Sequence, residues 1–187
     1  MSRPPSILTL DQLYAAIPAA GPAPLHQPIA ALNLPEPAQR LLVHDQHMTV
    51  VMERQHRFPV TVEVQARHRS GDSYSRLIRL RRTSDGVIVQ GGLVRINLAT
   101  LPPEVAAAIL AEQVPLGRLL IHHQVLRQID VRQYLRFPPQ PSLESWLGRL
   151  HGQETFGRLG YLHIDGQPVV ELFEILASAS LGAEAKG

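Results

Sequence analysis

The strongest constraint on the fold is a series of segments in which apolar and polar residues alternate, each closed by a turn-forming sequence. In the first of them Val60, Val62 and Val64 alternate with polar residues, which is the pattern of a half-buried β-strand. Turn sequences rich in Gly, Asp and Ser follow at 70–72, 84–86 and 165–166, and such turns join antiparallel neighbours. The pattern predicts strands over residues 60–67, 73–82, 87–98, 125–137, 156–164 and 168–176.

Helical segments are predicted between several of these strands. A short helix over Glu36–Val43 follows a proline start, and Met48, Val51 and Met52 fall on one face of a second helix that Asp45 can cap. Further helices are predicted over 100–113, 119–124 and 142–150. Turn-linked strands with inserted helices indicate an α+β domain built on an antiparallel sheet.

The first 35 residues form a separate Pro/Ala-rich segment, which we call the arm. Half of the 16 prolines lie between Pro4 and Pro37, a composition typical of extended chain, although a short helix is predicted from Asp11 to Ile17. The arm is interpreted either as a flexible leader or as a segment that packs on the core through Leu8, Leu10, Leu13 and Tyr14. The domain proper then spans 36–180, and 181–187 is a tail.

Composition excludes several kinds of chemistry. The chain has no Cys, so disulfides, thiolate nucleophiles and cysteine-ligated metals are excluded. Lys186 is the single lysine, which excludes a phosphate-loop lysine and argues against Schiff-base chemistry. The net charge is only +2, and no run of 18 apolar residues could span a membrane. We predict a cytoplasmic protein with no cofactor, no membrane span and no nucleic-acid partner.

Two clusters of side chains invite a binding role and also have a plain structural interpretation. His44 and His47 are three residues apart and His122 and His123 are adjacent, but no zinc-binding helix motif is present, so surface histidines are favoured over a metal site. Five arginines lie on two neighbouring strands, where a solvated strand face is favoured over phosphate contact: Arg67, Arg69, Arg79, Arg81 and Arg82.

Two charged residues are predicted to point inward. By strand alternation Arg76 shares a face with Ile78 and Leu80, and Glu171 lies within an apolar strand near the end of the chain. A buried charge needs a partner, from the protein or from a ligand. The two residues are therefore either an Arg76–Glu171 salt bridge or parts of a functional site.

Four short segments, in order and with fitting spacing over residues 36–180, resemble the chorismate pyruvate-lyase family and its wider superfamily of ligand-binding domains. Members of the family convert chorismate to 4-hydroxybenzoate and pyruvate. The segments are 47–49 (HMT), 74–101 from Tyr-Ser-Arg through Asp-Gly to Ala-Thr-Leu, 115–120 (PLGRLL), and 157–178 from Gly-Arg through DGQP and ELF to Ala-Ser.

The resemblance implies a six-stranded antiparallel sheet with helices over one face and a ligand buried beneath flaps. It implies that Arg76 grips the substrate carboxylate, with Arg79 as the fallback, and that Glu171 sits at the hydroxyl or ether end. The Leu116 backbone amide, next to Gly117, would bind the carboxylate, and Met48 would close the pocket. These assignments place Glu171 and Arg76 as catalytic residues.

One departure from the family pattern bears on the function. The enzymes usually carry a second Arg directly after a Gly, whereas here Gly92 is followed by Leu93. The nearest basic residue is Arg95, two positions further on and on the same face, and we predict that it contributes to substrate binding in place of that Arg. We therefore expect a lyase that acts on chorismate or a related enolpyruvyl compound. The alternatives are a non-catalytic module that binds an aromatic carboxylate such as 4-hydroxybenzoate, and an interaction domain with a filled core. The oligomeric state is not predicted.

Overall fold

The computed structural model describes residues 8–125 and 127–182. Its strands are β1 (Gln27–Ile29), β2 (Val60–Ser70), β3 (Ser73–Arg82), β4 (Ile88–Asn97), β5 (Arg127–Phe137), β6 (Thr155–Ile164) and β7 (Gln167–Leu176). Its α-helices are α1 (Leu10–Ala15), α2 (Glu36–Leu42), α3 (Met48–His56), α4 (Pro103–Leu110), α5 (Leu116–His122) and α6 (Pro141–Leu147).

All seven strands belong to one antiparallel sheet in the order β1-β5-β6-β7-β4-β3-β2. The predicted fold class, an α+β domain built on one antiparallel sheet, is confirmed, with seven strands in place of the six expected. The strand that the sequence did not predict is β1, whose Pro28 stands opposite Leu135 at the sheet edge. An edge position suits proline because its missing N–H leaves no ladder bond unmade there.

Helices cover both faces of the sheet. On the first face α2 and α3 pack over one half of the sheet and α4 and α5 over the other. On the second face α1 and α6 cover the apolar side chains of Leu93, Leu159 and Phe173. The resemblance predicted helices on one face only. The second layer is needed because these three fully buried side chains would otherwise meet water.

The arm packs on the domain through α1. Thr9 and Gln12 form a reciprocal capping box at its start, and Leu13 and Ile17 are fully buried. Further along, the backbone of Leu25 exchanges two hydrogen bonds with the side chain of Gln140. Residues 8–35 therefore follow the packed interpretation of the arm. The tail lies largely outside the described residues, which end at 182.

Two helix starts differ from the predicted ones, and both border the site described below. Helix α3 begins at Met48 with His47 as its N-cap residue, in place of a cap at Asp45. Helix α5 begins at Leu116, directly after Pro115, so the predicted tight corner at 115–118 is the first turn of the helix. A proline before a helix fixes an extended entry angle, which explains the early start.

Candidate functional site

A cavity lies between the first face of the sheet and the beginnings of α3 and α5. Strands β3, β4 and β7 form its floor, and its accessible volume is about 60 Å³. That is several times the ~10–15 Å³ needed for one water molecule. Its wall is mostly apolar, with a few polar residues that include Thr49, Arg76, Gln90 and Glu174.

Arg76 is the most unusual residue of this cavity. It is 1% exposed, and its Nε and Nη1 atoms are buried without a hydrogen-bond partner among the described residues. Burial lowers the pKa of its guanidinium, while Tyr74 and Glu112 oppose that shift. A buried charge with unsatisfied donors is costly. This applies to the Arg76 guanidinium, which lacks hydrogen-bond acceptors among the described residues for two of its nitrogen atoms.

The carboxylate of Glu112, whose charge acts on Arg76, is already engaged elsewhere. Glu112 accepts a hydrogen bond from the Tyr74 hydroxyl and forms an ion pair with Arg67. Burial, and then the bond to Glu112, raises the pKa of Tyr74 to about 12. Because two groups share this carboxylate, Glu112 only partly offsets the charge of Arg76.

Gln90 is a second polar residue of the cavity wall with an unmet bond, and sequence reasoning missed it. It lies on β4, is 3% exposed, and its Oε1 atom is buried without a partner among the described residues. The available signal was strand alternation, since Gln90 shares a face with Gly92 and Val94.

Arg158 and Glu174 form the fully engaged counterpart of Arg76. Arg158 is 0% exposed and donates to Glu174 and to the backbone carbonyls of Leu42, His44 and Gln46. It thereby ties the segment between α2 and α3 to the sheet. The sequence motif included Arg158, but its anchoring role depends on contacts across more than 110 residues.

The starts of α3 and α5 approach each other closely above the cavity. A Cβ atom added to Gly117 would lie 3.0 Å from His47 Cβ and 3.1 Å from Thr49 Oγ1, so glycine permits this contact. Met48 and Leu116 line the same cavity. The structure therefore brings together four of the predicted site residues: Arg76, Met48, Leu116 and Gly117.

Glu171 and Arg95 lie elsewhere. They face each other across β4 and β7 and form an ion pair, with the Glu171 side chain 25% exposed. Arg76 stands opposite Val94, whose partner on β7 is Leu172. Glu171 is one residue out of step with Leu172 and therefore points to the second face of the sheet. The alternative of an Arg76–Glu171 salt bridge is thus wrong, and Arg95 and Glu171 do not line the cavity.

Arg79, the fallback for Arg76, and Leu93, which stands where the enzymes usually carry a second Arg, also lie on the second face. Arg79 donates to Gln65, and Leu93 is fully buried in the cluster that packs against α1. Glu174, three residues beyond Glu171, is the acidic residue of β7 that lines the cavity. The sequence alone could not tell which of the two carboxylates faces the cavity, because both Glu171 and Glu174 are flanked by apolar residues.

The arginine cluster considered from sequence has ordinary partners. In the strand cluster Arg67, Arg81 and Arg82 form ion pairs with Glu112, Glu63 and Asp85 respectively. No group of three potential metal ligands occurs in residues 8–125 and 127–182. Within the same ranges, each helix is too short or too polar to cross a bilayer.

Comparison with known proteins supports the fold. No protein-family model matches the sequence, and no curated protein matches it significantly. The structure of PhnF from Mycobacterium smegmatis is similar, with 12% identity, a TM-score of 0.51, and coverage of 75% of this chain and 68% of that one. At this identity the similarity concerns the fold alone.

Two further similar structures have lower scores. The C-terminal domain of the histidine utilization repressor from Pseudomonas syringae has 15% identity and a TM-score of 0.46, with coverage of 68% of this chain and 96% of that one. A GntR-family transcriptional regulator from Bacillus cereus has 11% identity and a TM-score of 0.43, with coverage of 64% and 92%.

The geometry of the site corrects the prediction of a chorismate lyase. Glu171 pairs with Arg95 on the face of the sheet opposite the cavity. The expected general acid is therefore not at the site, and the non-catalytic alternative fits better.

Proposed function

We propose that this chain is a non-catalytic module that binds a small carboxylate ligand, aromatic in particular, between α3, α5 and the sheet. The observation that carries the proposal is Arg76, a buried guanidinium that lines a cavity with two donor atoms unsatisfied. A carboxylate would supply the missing acceptors and neutralise the charge at once.

The surroundings of Arg76 favour a ligand with an apolar body. Ile78, Val94 and Leu172 line the cavity beside it, and the buried Met48 covers it from α3. Pockets that bind small molecules combine such apolar walls with a few oriented polar groups. An aromatic carboxylate matches this combination better than an inorganic anion does, because its ring would bury apolar surface. The cavity of about 60 Å³ is smaller than the ~150 Å³ that accommodates benzene, so entry of the ring requires α3 and α5 to move apart.

The roof of the cavity also suits an anion. Helix α3 has nine residues, and its first turn, Met48 and Thr49, lines the cavity. The first N–H groups of a helix have no intrahelical acceptors, and their partial positive charge favours an anion nearby. The role predicted for Met48, that of covering the ligand, belongs to this proposal, as does the contact of the ligand with Leu116 and Gly117.

The test is titration of the purified chain with benzoate and 4-hydroxybenzoate. Calorimetry measures the affinity, and the shift of the thermal unfolding midpoint provides a second measure of binding. Arg76→Met is the test variant, and Arg95→Met, on the opposite face of the same sheet, is the matched control. We expect Arg76→Met to weaken binding by roughly 10- to 150-fold, as for loss of a charge-assisted hydrogen bond. Arg95→Met should bind like the unmodified chain.

Three results would contradict the proposal. Pyruvate formation from chorismate, followed with a coupled dehydrogenase, would restore a catalytic role. Equal binding by the Arg76→Met and unmodified chains would remove Arg76 as the anchor. Failure of both carboxylates to bind at millimolar concentration would favour the interaction domain with a filled core.

A further inference from the structure

The cavity contains two complementary polar groups that do not satisfy each other. Arg76 has N–H donors without acceptors, and Gln90 has a buried Oε1 acceptor without a donor. Both residues line the same cavity. Had these atoms been within hydrogen-bonding distance they would be paired, so the two groups stand apart. Anything that satisfies both must extend from one to the other.

The sheet register gives the offset of the two residues along the strands, from which their long side chains extend into the cavity. Arg76 stands opposite Val94, and Gln90 stands opposite Leu80, so four residues of each strand separate the two positions. At ~3.3 Å per residue, their Cα atoms are offset by roughly 13 Å along the strands. Ile78 and Gly92 form the row between them. The Ile78 side chain packs over Gly92, where an added Cβ atom would lie 3.3 Å from Ile78 Cδ1, so the middle row presents an apolar surface to the cavity.

A third group, Glu174, determines which charge the ligand can carry beyond its anionic end. Glu174 stands opposite Gly92 on β7, lines the cavity, and is held by the fully buried Arg158. Because Glu174 already engages Arg158, a second anionic group on the ligand would find no unpaired cation here, and the cost of burying its charge would go uncompensated. A neutral hydrogen-bond donor avoids this cost and satisfies Gln90.

We infer that the cavity selects an elongated monoanion, with its carboxylate at Arg76 and an uncharged hydrogen-bond donor at Gln90, and that it rejects dianions. This inference rests on the proposed function and makes Gln90 the residue that determines specificity. It sets this site apart from one built for a dicarboxylate, which would need a second unpaired cation.

The test compares three probes that differ at one position of the ring: benzoate, 4-hydroxybenzoate and the dianion terephthalate. Each is titrated by calorimetry into the unmodified chain, Gln90→Met and Gln128→Met. Met matches Gln in length and lacks hydrogen-bonding groups. Gln128 is an exposed residue of β5 and serves as the matched control. Thermal unfolding of each variant checks that it folds.

In the unmodified chain and in Gln128→Met, 4-hydroxybenzoate should bind about 5- to 10-fold more tightly than benzoate, as for one net hydrogen bond. Terephthalate should bind at least about tenfold more weakly than 4-hydroxybenzoate. In Gln90→Met the preference for the hydroxyl should fall to about one, while the affinity for benzoate stays within about threefold. The discrimination against terephthalate should persist, because Glu174 is unchanged.

The outcomes separate this inference from the proposed function. Tight benzoate binding with no preference for the hydroxyl, or an equal preference in Gln90→Met, would overturn the role of Gln90 and leave the carboxylate site at Arg76 standing. Terephthalate binding as tight as that of 4-hydroxybenzoate would overturn the monoanion rule. Absence of binding by all three probes would overturn the proposed function and the inference with it.

Discussion

Two arginines lie buried on the same face of the sheet, and they have opposite surroundings. Arg158 meets a carboxylate and three backbone carbonyls, whereas Arg76 keeps two donor atoms unsatisfied beside a cavity. Both are almost completely buried. The difference teaches that burial of a charge alone does not indicate function. The count of satisfied donors distinguishes Arg158, which anchors the fold, from Arg76, for which we propose a ligand.

The largest expected effect on the free energy of unfolding comes from replacing Arg158, the arginine whose donors are satisfied. Arg158→Met leaves Glu174 without its partner and frees the segment between α2 and α3, so the free energy of unfolding should fall by roughly 3–5 kcal/mol. Chemical denaturation measures this change. Arg95→Met removes a partly exposed ion pair and should cost less than about 1 kcal/mol. Equal losses in the two variants would contradict the anchoring role of Arg158.

Replacement of Arg76, the arginine with unsatisfied donors, should not lower the free energy of unfolding. Arg76→Met replaces a buried guanidinium with an apolar side chain of similar length, so stability without ligand should stay equal or rise by about 1 kcal/mol. The same denaturation experiment measures it, next to Arg158→Met. A loss as large as that of Arg158→Met would show that Arg76 is a structural residue with partners in solution, and the contrast would fail.

The contact between α3 and α5 allows a third, smaller test. In Gly117→Ala the added methyl group would press on His47 and Thr49, and part of this strain is offset by the better helix propensity of Ala. We expect a net loss of about 1 kcal/mol in stability and several-fold weaker binding of 4-hydroxybenzoate. Unchanged binding would show that this roof does not shape the ligand site.

The smallest expected effect concerns pH and the segment that Arg158 holds. Burial, and then the charge of Arg158, lowers the pKa of His44 below its ordinary value of 6.5. The His44 ring accepts a hydrogen bond from the backbone N–H of Gln46 at 3.2 Å, a bond that requires an unprotonated nitrogen. The unfolded chain therefore binds this proton more tightly than the folded chain does.

The sign follows from proton linkage. As the pH falls below about 6.5, His44 becomes protonated in the unfolded chain first, so stability declines until the pH reaches the lowered pKa of the folded state. Unfolding midpoints measured between neutral and mildly acidic pH should show this decline, and His44→Gln should reduce it. His122→Gln, at an exposed position, is the control. A decline of equal size in all three chains would assign it to other groups.

The strands were the most predictable part of this molecule. The alternation at Val60, Val62 and Val64 and the turn at Asp165-Gly166 are local signals. Strand β3 begins and ends at the predicted residues, since turn sequences also bound it on both sides. The same alternation placed Arg76 on the face of Ile78 and Leu80, and all three line the cavity. Edge strand β1 was missed because three residues with a central proline carry no periodic signal.

The site was only half predictable. Arg76, Met48, Leu116 and Gly117 come together as the resemblance implied, but Glu171 and Arg95 do not join them. The error lay in the register of β7, where a shift of one residue exchanges the two faces of the strand. Periodicity within a strand cannot fix which face meets which neighbour. That depends on pairing with β4, far away in the sequence.

The sequence by itself determined the α+β class, the hairpins, and the presence of an inward-pointing arginine, because these follow from local alternation and turn chemistry. The tertiary structure alone decided which charged residues pair. Arg158 pairs with Glu174, Arg95 pairs with Glu171, and Arg76 keeps two donor atoms without a partner in the described part of the chain. The physical reason is that satisfaction of a buried charge depends on atoms brought together across the sheet and from distant helices. The ligand-binding role proposed for Arg76 therefore rests on contacts that only the tertiary structure provides.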